Sequence, residues 1–130
     1  MKFLVAYSGS NEARAALDLA VEHAALFKAK VFVITSMEGG RSEKPEDIAR
    51  VNQELKQVRQ KLEDAGVAHE VHEMARGLSP GEDIVIFAKE NQIDQIFVGI
   101  EKKSRTRKLL LGSTAQYIIL KADCPVTTIK

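Results

Sequence analysis

With 130 residues, 45% of them hydrophobic and 28% charged, the chain is sized for one domain with a buried core rather than for a disordered segment. Nineteen Lys and Arg against eighteen Asp and Glu leave a formal charge of +1, which argues against a generic polyanion binder and makes nucleic acid an unexpected partner. Cys124 is the single cysteine, no signal-peptide core follows Met1, and no run reaches the ~18 apolar residues of a membrane span, so a reducing, cytoplasmic setting away from membranes is expected.

Lys2 to Tyr7 is a short continuous apolar run, the pattern of a strand buried on both faces. Ser8-Gly9-Ser10 turns the chain, and Ser10 is placed to cap a helix over Asn11 to Phe27. Its apolar positions are Ala13, Ala16, Leu17, Ala20, Val21, Ala24 and Ala25, at helical spacing. Lys30 to Thr35 reads as a second buried strand, and Ser36 to Lys44 as a loop broken by Gly39-Gly40. Pro45 suits the first turn of a helix whose face is Ile48, Val51, Leu55, Val58 and Leu62, closed by Gly66. Val67 to Met74 alternates and is partly polar, which places it at a sheet edge. Ser79-Pro80 starts a third helix that buries Ile84, Val85, Phe87 and Ala88. Ile93 to Val98 is a fourth strand, Ala115 to Lys121 a fourth helix opened by Gly112-Ser113-Thr114, and Val126 to Ile129 a last strand.

Strands alternating with helices imply an α/β fold with a parallel sheet and right-handed crossovers. A chain that winds outward from its first strand and then crosses back gives the order 3-2-1-4-5, doubly wound, with helices on both faces. The first and fourth strands are then neighbours at a switch point, where open sheets of this kind bind ligands. Tyr7-Ser8-Gly9 and the segment after Gly99 would face each other there.

That segment is the most informative in the chain. An apolar strand ends at Gly99, and from Glu101 to Leu111 come Lys102, Lys103, Arg105, Arg107 and Lys108 against Glu101 alone, a local charge of +4. Gly112-Ser113-Thr114 then opens a helix, whose unpaired N–H groups and dipole favour an anion. A helix cap accounts for Gly112 and Ser113 equally well, and a solvated loop for the bases. The G-x-G-x-x-G and Walker A patterns are missing, and Tyr7-Ser8 stands where a phospho-acceptor receiver has paired acids.

The opening FLVAYSGSNEARAALDLAVEHAALFKAKVFVI, the middle RGLSPGEDIVIFAKENQIDQIFVG and the closing GIEKKSRTRKLLLGSTAQYIILKADCPVTTIK together resemble universal stress protein domains, over essentially the whole chain. The resemblance implies a Rossmann-like fold with a five-stranded parallel sheet, dimers through the C-terminal strand and, in one branch, ATP binding. That branch has a phosphate pattern of Gly, two residues, Gly, nine residues, Gly and Ser or Thr. Gly99, Gly112 and Ser113 match it, while Lys102 stands at the middle glycine. Glycine there would allow positive φ and close approach to phosphate, whereas lysine offers a point charge. Ser8 stands where nucleotide-binding members carry an acid, which weakens the expected ribose and magnesium contacts. The resemblance also implies that backbone near Ser36 meets the adenine.

Other candidates are weaker. His69 and His72, three apart on a strand, point to opposite faces and make no metal pair, and His23 has no ligand-spaced partner. Cys124 before Pro125 reads as a small buried hydrophobe, and neither Ser8 nor Ser10 has a histidine near in sequence. Two functional readings lead, and a third, a slow ATPase, needs a magnesium ligand that the sequence does not offer. One is a homodimer that binds ATP, AMP or another phosphorylated ligand through Tyr7, Ser8, Ser36, Gly99, Lys102, Gly112, Ser113 and Thr114, with no catalytic residue and no assigned magnesium ligand. The other is an interaction module whose basic loop docks acidic partners.

Overall fold

The computed structural model describes residues 1–36, 45–74, 77–101 and 112–130. In chain order the elements are β1 (Lys2–Ala6), α1 (Asn11–Phe27), β2 (Lys30–Ser36), α2 (Pro45–Asp64), β3 (His69–Met74), α3 (Pro80–Glu90), β4 (Gln95–Gly99), α4 (Ser113–Lys121) and β5 (Val126–Ile129). All strand pairs are parallel and the order is β3-β2-β1-β4-β5, as the alternation of elements predicts. Among the described residues no helix is long and apolar enough to cross a membrane.

Strand periodicity divides the core into two layers. Phe3, Val5, Val31, Val33 and Phe97 face α1 and α2, where they meet Ala16, Leu17, Ala20, Val58 and Leu62. Leu4, Ala6, Phe32, Ile34, Ile96 and Val98 face α3 and α4, against Ile84, Phe87, Ala115 and Ile118. β1 is buried from Phe3 to Ala6, as a central strand covered on both sides must be.

Two expected helix faces are shorter than their sequence pattern. Ala25 and Ile48 are exposed, and Val21 and Val51 are half-buried. The buried positions of α2 (Leu55, Val58 and Leu62) all lie in its C-terminal part, so its first turns extend past the sheet. Strand starts also shift. Val67 and Ile93 are buried, but as helix exits: their N–H groups donate to Leu62 O and Ala88 O before pairing begins. The expected loop at Ser36 to Lys44 falls, beyond Ser36, outside the described residues.

Gly99 sets the distance between β4 and α1. A Cβ built there would lie 2.4 Å from the Glu12 carbonyl carbon and 2.6 Å from the Ala13 nitrogen, both backbone atoms of the first turn of α1. Backbone cannot swing aside as a side chain can, so a methyl must push the helix off the sheet. Gly99→Ala is expected to cost about 2 kcal/mol, as overpacking does. Calorimetric melting checks this; an unchanged melting temperature would show that the turn yields at no cost.

Candidate functional site

Past the C-terminal ends of β1, β2 and β4 lies a cleft of about 280 Å³. Ala6, Tyr7 and Ser8 come from β1 and its exit, Ile34 and Thr35 from β2, and Val98, Gly99 and Glu101 from β4 and its exit. Gly112 to Ala115 at the start of α4 complete it, with Pro80 and Ile84 of α3. It opens at the reversal of strand order, because right-handed crossovers carry α1 to one face and α3 to the other.

One part of the wall is apolar (Ile34, Pro80, Ile84 and Val98) and the other polar (Ser8, Thr35, Glu101, Ser113 and Thr114). The Thr35 hydroxyl donates to Tyr7 O at 3.0 Å, which ties the ends of β1 and β2 together. Ser8 Oγ lies 3.1 Å from Ser10 Oγ, and Ser10 Oγ accepts from the Ala13 N–H at 3.1 Å, capping α1. Ser79 caps α3 in the same manner, accepting from the Glu82 N–H and donating to the Glu82 carboxylate at 2.8 Å.

The start of α4 differs. Its N-cap is Gly112, which makes no side-chain cap bond, and its first turn has no acid. The first intrahelical donor is Gln116, which donates to Gly112 O at 3.0 Å, so the amides before it have no acceptor within the helix. They lie where Ser113, Thr114 and Ala115 line the cleft, and with the positive end of the helix dipole they suit an anion.

The fold brings Tyr7, Ser8, Gly99, Gly112, Ser113 and Thr114 to this one cleft. Tyr7 belongs to it through its main chain, since its side chain is buried in the layer facing α1 and α2. Ser36 ends β2 opposite Met74, one residue past the cleft wall at Thr35. Lys102 and the other bases before Gly112 lie outside the described residues. Thr35, Glu101 and the apolar wall were missed by sequence reasoning. Ile34 and Ile84 carry the same signal as any core residue, whereas Glu101, one acid leading a run of bases, could have been singled out.

The weaker candidates find local partners. His72 Nε2 is 3.1 Å from a Glu70 oxygen and its ring lies against Phe87, while His69 Nδ1 is 2.8 Å from Val67 O. Lys30 donates to Glu70, and together with His72 it holds the Glu70 carboxyl below its ordinary range. His23 packs edge-on against Phe27 and Phe97. Burial pushes the Cys124 thiol up, away from a reactive thiolate. Among the described residues no group of three or more metal-ligating side chains is assembled.

Comparison with known proteins follows the fold. The model of the universal stress protein family matches residues 1–130. Over 77 residues the chain is 39% identical to universal stress protein MJ0531 of Methanocaldococcus jannaschii, a match covering 58% of this chain and 44% of that protein. It therefore spans less than half the length of that relative. A universal stress protein from Archaeoglobus fulgidus superposes with a TM-score of 0.83 at 38% identity, over 99% of this chain and 96% of the other. A structure of the universal stress protein from the same organism in complex with dAMP gives a TM-score of 0.77 at 34% identity, over 99% and 95%. The chain belongs to the universal stress protein family.

Proposed function

We propose that this protein binds an adenine nucleotide in the cleft between the ends of β1 and β4. The base rests against Ile34, Pro80 and Ile84, and the phosphate sits at the N-terminus of α4 beside Gly112, Ser113 and Thr114. One observation carries this reading. The N-terminus of α4, unlike those of α1 and α3, is left without a side-chain cap, and it opens into the cleft at the strand switch point. The dAMP complex of a relative at 34% identity supports it. AMP and ATP are the ligands to try first, and the reading requires neither a catalytic residue nor magnesium.

Gly112→Asp tests it. Gly112 already has the extended backbone of an N-cap (φ −61, ψ 155), so an aspartate there can cap α4 and place a negative charge where the phosphate would sit. Stability should rise slightly, by about 0.5 kcal/mol, because an acid suits a helix start. Binding of dAMP, measured by calorimetric titration, should fall at least about tenfold, a loss of roughly 1.4 kcal/mol. Unchanged affinity in the more stable variant would move the phosphate elsewhere.

We also propose a homodimer through β5. Among the described residues this strand pairs only with β4 and forms one edge of the sheet. Pro125 O and Ile129 O accept from Ile96 and Ile100, so the alternating residues Val126 and Thr128 turn their N–H and C=O groups outward. Lys130 is the only charge beside this edge in sequence, and α4, which leads into it, exposes Ile119 and Leu120. Two copies meeting about a two-fold axis would pair both edges. Thr128→Pro removes one outward donor and leaves pairing with β4 intact, so sedimentation should find a dimer for the parent and a monomer for the variant. A monomeric parent, or a variant that stays dimeric, would rule this edge out.

A further inference from the structure

The described wall of the cleft includes two ionisable residues, Tyr7 and Glu101, and the side chain of Tyr7 is buried in the core. The described wall includes no Lys, Arg or His. Among the described residues, attraction for an anion there comes from the start of α4, worth about half an elementary charge and fading within the first turn. Repulsion from the Glu101 carboxylate grows in proportion to the charge on the ligand. One phosphate on the amides of Ser113 to Ala115 takes up the dipole's attraction. Each further phosphate adds repulsion from Glu101 and little more attraction from the helix start. We propose that Glu101 is a specificity residue that weights the cleft against phosphate charge, disfavouring a nucleoside triphosphate relative to a monophosphate.

This rests on the nucleotide reading above and adds the class of nucleotide to it. The bases between Lys102 and Lys108 lie outside the described residues, so the informative comparison is one that leaves them unchanged. Glu101→Gln does so, removing the charge while keeping the shape. Adenosine, dAMP and ATP are titrated calorimetrically into both proteins, without magnesium and at low ionic strength, where such effects are largest. In Glu101→Gln adenosine should change less than about twofold, while ATP should gain at least about tenfold more than adenosine does. An ATP-to-dAMP affinity ratio that is the same in both proteins would overturn the role of Glu101 and leave nucleotide binding standing. No binding of any of the three to either protein would overturn the nucleotide reading and this proposal with it.

Discussion

Glycine at position 99 lets two backbones meet. The first turn of α1 lies so close to the end of β4 that no Cβ fits between them. α1 follows β1 in the chain yet packs on β4 as well as on β1, bridging the two strands at the place where their connections part. The Ser8-Gly9-Ser10 turn and the exit of β4 are thereby held side by side. A glycine at this position therefore has a packing role before any ligand is considered. The phosphate pattern expected from the sequence resemblance and the fold's own steric need fall on the same residue.

The cleft follows from how the chain winds. β1, α1, β2, α2 and β3 progress in one direction, and the return across β1 to β4 and β5 reverses it. Crossovers of one hand must then place α3 and α4 on the face opposite α1 and α2, and the two cores show that division. Connections leaving β1 and β4 go to opposite faces, and the space between them is lined by main chain, polar side chains and an apolar wall. At one end stands a helix start without a side-chain cap, while the starts of α1 and α3 are closed by Ser10 and Ser79.

The sheet order, the two helix layers and the edge position of Val67 to Met74 were legible because they rest on periodicity and on winding rules. Boundaries were less so. Ile93 and Val67 look like strand residues since they are buried and apolar, but their backbones are committed to helix exits. Ile48 continues a helical stripe that has no sheet beneath it at that end. At the site, the glycines and hydroxyls of Gly112 to Thr114 could be read because a helix start has a chemical signature. The apolar wall could not, since Ile34 and Ile84 are ordinary core residues until the topology leaves one side of them open. Glu101 was counted only as a deduction from a basic run, because charge summed over a segment does not say which side chain faces the cleft.

The most direct test of where the ligand binds is a titration of the ¹⁵N-labelled protein with dAMP, followed by amide chemical shifts. Shifts should concentrate at Ser8, Thr35, Gly99, Ser113, Thr114 and Ala115, with β3 and the C-terminal end of α3 unaffected. Shifts clustered instead around Lys89, Ile93 and Cys124, where a second hollow of about 270 Å³ lies, or no shifts at all, would contradict binding at the β1–β4 cleft.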